Sequence, residues 1–332
     1  MEYWLYQQIV SENSDRKPRL ALQSTLNWAR ALSFEITQEH GETPIEQYES
    51  CMKVYCSNTQ GNGATLGNSA IFEPLFSALN NTLTIITLAH EPSKIDSRPW
   101  VLPGLIVSWY YAVYTSIRAI LAANNISTPD THAGVIKTLN NSFTNKLPHP
   151  FNMQAAWVRN EEFDKKLPSY ADQGLQSRNP ISNFDGTRKC AQEMLLAYLS
   201  GTTDREAGII KERLKSKHKL TGFQTKDARQ IRDEAFKQLQ TNFLTCAFRY
   251  RGKANYRDAI FITYGAREIL NRDEFLTALA CSARFAFISA LAFVCYRVGS
   301  STTTKFIYDL TENLRGIENA IDEERFWMGL VK

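Results

Sequence analysis

Arg213 and His218 are separated by four residues in the stretch KERLKSKH (211–218). A guanidinium is permanently charged, and its planar fork of N–H donors matches the oxygens of a phosphate group. An imidazole has an unperturbed pKa near neutrality and can take up or release a proton under physiological conditions. Together the two residue types suit chemistry on a phosphate ester, with the arginine stabilising charge and the histidine moving the proton.

Basic residues are concentrated around this pair and again further along the chain. The net charge of the whole chain is only +4, so the distribution of charge is more informative than its total. Segment 211–233 holds eight lysines and arginines and only three acidic residues. A second segment, FRYRGKANYRD (248–258), interleaves four basic residues with three aromatic rings. Such a mixture is typical of surfaces that bind single-stranded nucleic acid, although a solvated helix face with aromatic rings in the core is the alternative. The predicted contact residues are Lys217, Arg229, Arg249 and Arg251.

Helical periodicity dominates the hydrophobic pattern, and strand signals are scarce. The Pro-, Asn- and Ser-rich segment 145–186 is predicted to be a long loop, and TLTIITLAH (82–90) is ambiguous between strand and helix. The predicted fold class is therefore all-α. The expected helices lie near residues 18–39, 66–80, 103–123, 132–144, 188–200, 204–217, 226–247, 255–269, 273–297 and 304–324.

The position of a helix end decides whether Arg213 and His218 can meet. Thr203 stands three residues before Glu206, a capping-box spacing that predicts a helix start at this point. A helix over 204–217 places Arg213 in its last turns and His218 at or just past its end. Because five residues of helix correspond to about 140° of rotation, the pair converges only if the helix ends between the two residues or a second chain completes the site.

A second informative stretch is SWYYAVYTSIRAILAANNISTPDTHAGVIKTLN (108–140). It resembles a segment of the HEPN superfamily of helical-bundle proteins, which often have a Tyr-Tyr-Ala-x-Tyr/Phe helix, an Arg-Ala-hydrophobic continuation, a short loop and a Thr-His-x-Gly-Val-Ile helix start. The expected architecture is a HEPN-type helical bundle with additional N- and C-terminal helices. It comprises an N-terminal helical extension (1–95) and a HEPN-like helical domain (96–332), or one continuous domain. The matching residues are Tyr110, Tyr111, Ala112, Tyr114, Arg118, Ala119, Leu121, Thr131, His132, Gly134, Val135 and Ile136.

The resemblance also implies a function. HEPN ribonucleases typically carry an arginine and a histidine separated by four to six residues, join the pairs of two protomers, and cut RNA without metal through the ribose 2′-hydroxyl. The resemblance thus implies a homodimeric endoribonuclease of prokaryotic antiphage or toxin-like defence, in which Arg213 stabilises the phosphate charge and His218 is the general acid or base.

Two alternatives remain open at this level. Leu214 follows the arginine at a position where many active HEPN members have a polar residue. This difference favours a catalytically inactive HEPN-like subunit that binds nucleic acid, nucleotide or a partner protein within a larger defence complex. The second alternative is a helical scaffold whose two basic clusters face open solvent.

His132 and Arg118 have structural interpretations. Thr131 is a plausible N-cap, which places His132 in the first turn of the following helix. The helix dipole disfavours an imidazolium there, so we expect a neutral histidine that orients or packs against its neighbours. For Arg118 we expect an ion pair or an extended side chain that reaches solvent at the end of its helix.

Other classes of site have little support in the sequence. The six cysteines form no CxxC pair or Cys/His quartet, so no metal and no cofactor is predicted. GNGATLG (61–67) has neither the dinucleotide spacing nor the P-loop spacing. The apolar stretches 100–123 and 276–299 are interrupted by Arg118 and Arg284, and we expect buried helices and a cytoplasmic protein rather than membrane spans.

Overall fold

Helices form most of the protein in a computed structural model that describes residues 4–12, 18–59, 63–89, 100–159, 162–166, 183–269 and 272–313. The helices are α1 (Trp4–Glu12), α2 (Pro18–His40), α3 (Pro44–Asn58), α4 (Asn68–Ala89), α5 (Val101–Ala123), α6 (His132–Ser142), α7 (Arg188–His218), α8 (Lys226–Phe236), α9 (Phe243–Gly252), α10 (Ala259–Ile269), α11 (Arg272–Val298) and α12 (Ser300–Asn313). The strands are β1 (Gln154–Arg159), β2 (Glu162–Lys166) and β3 (Gln240–Asn242). This content agrees with the predicted all-α class, to which the small sheet is an addition.

The centre of the fold is the pair of long apolar helices α5 and α11. α4 and α11 pack against α5, and α11 also contacts α2, α3 and α4. Polar anchors fix the packing, since Trp109 Nε1 donates to Ser282 Oγ at 2.8 Å and the Tyr55 and Ser289 hydroxyls lie 2.7 Å apart. Buried residues before position 95 and after it belong to the same hydrophobic cluster.

Two helices in the described part of the chain are long and apolar enough to cross a membrane, Val101–Ala123 and Asp273–Val298. In the structure, 78% and 83% of their most apolar windows are buried inside the protein. Both segments therefore occupy the buried position that we expected for them.

A three-stranded antiparallel sheet has the order β2–β1–β3. β1 and β2 lie within the region predicted to be loop, and β3 lies within a predicted helix. In the central strand, Gln154 pairs with Lys166 on one side and with Asn242 on the other. The loop prediction for 145–186 is thus wrong over both strands of the hairpin, and residues 167–182 lie outside the described part. The sequence does not reveal β1 because Ala155 is its only fully buried residue. The strand therefore lacks the alternation of apolar and polar residues that marks a half-buried strand.

α7 differs from the prediction in a way that matters for the site. It runs unbroken from Thr187, whose Oγ1 accepts the Cys190 N–H at 3.2 Å, to His218. The predicted helix start at Thr203 is wrong, because Thr203 is fully buried and its hydroxyl donates to the Leu199 carbonyl oxygen at 2.9 Å. The helix ends at Lys219, which has a left-handed φ of 52°.

Other helix boundaries also differ from the predicted ones. α4 continues through 82–89, which resolves the ambiguous segment as helix over the residues described. α3 was not predicted, although Thr43 and Glu46 form a complete capping box at its start. The single helix expected over 226–247 is divided between α8, β3 and α9. Asn242 makes the second break because its side chain accepts the Thr245 N–H and caps α9.

A buried polar network joins α2 to α7 and to the segment before β1. Glu35 is fully buried, with one carboxylate oxygen 2.8 Å from His149 Nε2 and the other 3.7 Å from Arg188 Nε. One turn later, His40 Nε2 donates to the His149 carbonyl oxygen at 2.6 Å, and His40 Nδ1 lies 2.7 Å from Ser50 Oγ. Since a carbonyl can only accept, Nε2 carries the proton of the neutral His40 ring and Nδ1 accepts from the serine.

We expect the stability of the protein to fall as pH drops from 7.5 to 5.5. Burial lowers the pKa of His40, so the unfolded chain, whose histidines titrate near 6.5, binds more protons than the folded one in this interval. The free energy of unfolding therefore decreases as pH falls through about 6.5. The lowered pKa of His132 acts in the same direction.

Urea unfolding at the two pH values measures the effect. His40→Gln has no titratable group at this position, so its free energy of unfolding should change less between pH 7.5 and 5.5 than that of the wild type. An equal change in both proteins would show that His40 does not contribute to the pH dependence.

Candidate nucleic-acid interface

The end of α7 and the whole of α8 form a helical hairpin, here called the basic hairpin (208–236). Buried residues of α7 end at Ala207, and every residue from 208 to 218 is partly or fully exposed. This part of α7 packs against α8, where Lys211 Nζ lies 5.8 Å from the centre of the Phe236 ring. Thr225 caps α8 by accepting the Ala228 N–H at 3.2 Å. The core therefore holds the hairpin at its base and leaves its sides open to a ligand.

Ion pairs neutralise only part of the positive charge of the basic hairpin. Lys215 pairs with Glu212 at 2.8 Å, and the buried Arg232 pairs with Asp233 at 2.7 Å. Five other cations are exposed and have no ion-pair partner among the described residues. They are Arg213, Lys217, Lys219, Lys226 and Arg229.

The spacing of these cations gives each helix of the hairpin one charged side. Arg213 and Lys217 are four residues apart on α7, and Lys226 and Arg229 are three apart on α8. Residues at these spacings project from the same face of a helix. Lys219 lies in the turn between the two helices. The result is a concentrated positive surface that suits a polyanion.

Arg213 and His218 are both exposed on one continuous helix, and His218 is its last residue. Ideal helix geometry places them about 140° apart around the axis and about 7.5 Å apart along it. A single chain thus does not bring the guanidinium and the imidazole to one phosphate. Of the two ways in which the pair could converge, only completion by a second chain is compatible with this helix.

The predicted contact residues divide between two places. Lys217 and Arg229 lie on the basic hairpin, whereas Arg249 and Arg251 lie on α9. The Arg249 guanidinium covers the Tyr198 ring at 5.2 Å, and its Nη1 donates to Thr202 Oγ1 at 3.0 Å. Arg249 therefore joins α9 to α7 and leaves less of its charge available to a ligand than Lys217 or Arg229 does.

Arg251 belongs to a second group of side chains, here called the Arg251 cluster. Its guanidinium carbon lies 5.3–5.6 Å from three ring centres, which is cation–π distance. Segment 108–140 supplies four members, on α5 and at the start of α6, and α9 supplies two. The members are Tyr110, Tyr111, Tyr114, His132, Phe248 and Arg251.

His132 is held in this cluster by a hydrogen bond and by ring contacts. Its Nδ1 lies 2.8 Å from the Tyr110 hydroxyl oxygen, and its ring centre lies 4.6 Å from that of Tyr114. Burial, and then the nearby charge of Arg251, lower the pKa of His132. These are different causes from the helix dipole that we had invoked for a neutral histidine. The predicted cap is confirmed, because Thr131 Oγ1 accepts the Gly134 N–H at 3.1 Å.

Sequence reasoning missed the contact between Arg251 and the Tyr110–His132 pair. More than a hundred residues separate Tyr110 from Arg251 along the chain, so no local pattern reveals the contact. The spacing of Phe248 and Arg251 was an available signal, because residues three apart share a helix face. The expected ion pair of Arg118 is confirmed, since its Nη2 lies 3.7 Å from Asp130 Oδ1.

No group of three or more His, Cys, Asp or Glu side chains in the described ranges is placed to hold a metal ion. Cys51, Cys190 and Cys246 are buried with free thiols. Burial raises the pKa of the Cys246 thiol to about 12, which keeps it protonated and unreactive.

Comparisons with known proteins return no similar chain. No protein-family model matches the sequence. No curated protein and no solved structure matches it either. The HEPN resemblance of residues 108–140 thus stays a prediction, and function must be inferred from the residues and their geometry.

Proposed function

We propose that the protein binds single-stranded RNA through the basic hairpin. The observation that carries this proposal is the set of five exposed hairpin cations that have no ion-pair partner in the described part of the chain. Such cations gain most from a polyanion, because each bound phosphate releases condensed counterions. The choice of RNA over other polyanions follows from the resemblance of residues 108–140 to HEPN proteins.

Removing three hairpin cations should reduce the salt dependence of RNA binding. For a single strand, the slope of log K against log salt is about −0.7 per neutralised phosphate. The triple variant Arg213→Ala, Lys217→Ala and Arg229→Ala should therefore have a slope smaller in magnitude by about 2. Fluorescence anisotropy of a labelled single-stranded RNA at several salt concentrations measures both slopes.

The matched control removes three exposed lysines outside the hairpin, Lys53, Lys137 and Lys305. It changes the net charge of the protein by the same amount, so it corrects for long-range attraction. An identical loss of slope in both triple variants would contradict a hairpin-specific contact.

A second candidate function is metal-independent endoribonuclease activity in a homodimer. It is favoured by the exposure of Arg213 and His218, which leaves both side chains accessible to a second chain. In this reaction a neutral imidazole takes the proton of the ribose 2′-hydroxyl, and the 2′-oxygen attacks phosphorus. The bond to the 5′-oxygen breaks as an imidazolium gives a proton to that oxygen, which leaves a cyclic phosphate and regenerates the neutral imidazole. The arginine stabilises the charge on the non-bridging oxygens.

The two candidates are separated by incubating the purified protein with RNA in EDTA. Cleavage that persists in EDTA supports the ribonuclease. Binding without cleavage supports a catalytically inactive HEPN-like subunit. A role in prokaryotic defence, alone or within a larger complex, is proposed from the resemblance only, and co-purification from the native host tests it through the partner chains recovered.

A further inference from the structure

The Arg251 cluster contains a hydrogen bond between Tyr110 and His132 that fixes where its protons lie. Burial raises the pKa of the Tyr110 hydroxyl, which therefore stays protonated, and the lowered pKa of His132 keeps that ring neutral. The Tyr110 side chain is fully buried, and the one acceptor that the described residues offer its phenol proton is His132 Nδ1, at 2.8 Å.

This arrangement makes His132 a hydrogen-bond donor. With Nδ1 accepting from Tyr110, the single proton of the neutral ring is on Nε2. His132 is only partly buried, so the Nε2–H is available to a ligand at the surface. The cluster therefore combines a neutral imidazole donor with a charged guanidinium donor.

Arg251 has no carboxylate partner within the described part of the chain. Its Nε is buried without a hydrogen-bond acceptor, and the guanidinium is partly buried among aromatic rings. Asp130, two residues before His132 in the chain, is exposed and paired with Arg118. A partly buried cation without a counter-charge is costly, and an anionic ligand would offset that cost. Two donors and a net positive charge match a phosphate group.

The rings around Arg251 add a surface for a nucleobase. Phe248 is one of the large apolar side chains that remain exposed, at 39%, and Tyr111 on α5 is partly exposed. The centre of the Phe248 ring lies 5.6 Å from that of His132, so a base on Phe248 would be next to the Nε2–H group that could donate to a phosphate. Stacking of a base on an aromatic ring contributes about 1–3 kcal/mol.

We propose that the Arg251 cluster binds a nucleoside phosphate. Arg251 and the Nε2–H of His132 hold the phosphate, and Phe248 and Tyr111 stack against the base. The same chemistry is present in a free nucleotide and in one nucleotide of an RNA strand. The site is independent of the basic hairpin, and its ligand need not be the RNA that the hairpin binds.

Titration calorimetry with AMP, with adenosine and with a twelve-nucleotide single-stranded RNA tests the proposal. Losing a charge-assisted hydrogen bond costs about 1.5–3 kcal/mol, so Arg251→Gln should weaken binding by about 10- to 100-fold. The matched control Arg118→Gln removes an arginine of α5 that already has a carboxylate partner, Asp130, and it should bind as the wild type does. Adenosine, which lacks the phosphate, should bind much more weakly than AMP.

Two histidine variants separate hydrogen bonding from packing. His132→Gln can keep an N–H donor near the position of Nε2 and should retain most of the affinity, whereas His132→Ala should lose it. Phe248→Ala should weaken binding of AMP and of adenosine alike. Melting temperatures of all variants identify any that fail to fold. Because Phe248→Ala alters an exposed ring, this variant still tests the proposal if Arg251→Gln unfolds.

The outcomes distinguish the two ligand sources. AMP binding that depends on Arg251 supports a free nucleotide, and Arg251-dependent binding of RNA without AMP binding supports a nucleotide of a strand. If neither affinity depends on Arg251 in folded protein, the proposal is overturned. The hairpin triple variant should lose affinity for RNA while keeping that for AMP, so failure of the hairpin proposal and failure of this one give different results.

Discussion

Replacing Glu35 with alanine is expected to lower the free energy of unfolding by about 3–5 kcal/mol, the range for breaking a buried ion pair. The carboxylate is fully buried and hydrogen-bonded to His149 at 2.8 Å, with Arg188 Nε at 3.7 Å. Its removal leaves His149 Nε2 without its hydrogen-bond partner, takes a counter-charge from Arg188 and opens a cavity between α2 and α7. Urea unfolding followed by circular dichroism at pH 7.5 measures the change.

Glu39 supplies the matched control one turn along the same helix. It pairs with Arg188 at 2.5 Å, but both side chains are 38% exposed. Exposed pairs contribute about 0–1 kcal/mol, so Glu39→Ala should be close to the wild type. Glu35→Gln, which keeps the shape and one acceptor, should fall between the two alanine variants. Equal, small losses for Glu35→Ala and Glu39→Ala would show that the buried network does not stabilise the fold.

If the protein cleaves RNA, replacing His218 with alanine should reduce metal-independent cleavage by about 10²- to 10⁴-fold, the contribution of one general acid or base. The fold should be intact, because His218 is exposed at the end of α7. Initial rates with a fluorescent RNA in EDTA measure the loss, and circular dichroism checks the helix content. Ser216→Ala, a change at an exposed neighbour, should leave the rate unchanged.

Mixing two inactive variants tests whether the pair is completed by a second chain. Within one chain, Arg213 and His218 point about 140° apart, so a working pair must take one residue from each protomer. A heterodimer of Arg213→Ala with His218→Ala then contains one intact pair, and cleavage should reappear on mixing. If mixing restores nothing, or if His218→Ala cleaves at the wild-type rate, Arg213 and His218 are not a catalytic pair.

The helical class and the cap at Thr131 could be predicted because their causes are local. Thr131 caps α6 with a side chain three residues from its donor, and α5 buries the apolar stripe that its sequence displays. The pattern at Thr203 misled for an equally physical reason. The same hydroxyl can cap a helix or bond back to the carbonyl four residues earlier, and burial against neighbouring elements selected the second arrangement.

The candidate sites depend on contacts that are distant in sequence. The exposed charges of the hairpin follow from the sequence, but their availability does not, because Lys215 and Arg232 are neutralised and Arg213, Lys217 and Arg229 are not. The Arg251 cluster joins α5, α6 and α9, and no periodicity within one helix specifies which helices meet. Sequence patterns give the face that a helix buries, whereas its partner is a property of the whole fold.

The central claim is that RNA contacts the basic hairpin, and photo-crosslinking tests it most directly. A single-stranded RNA containing 4-thiouridine is irradiated with the full-length protein, and the crosslinked peptides are identified by mass spectrometry. We predict crosslinks within residues 208–236 that disappear in the Arg213→Ala, Lys217→Ala, Arg229→Ala variant and persist in the Lys53→Ala, Lys137→Ala, Lys305→Ala control. A complex whose crosslinks all lie outside 208–236, or no complex at low salt, would contradict the assignment.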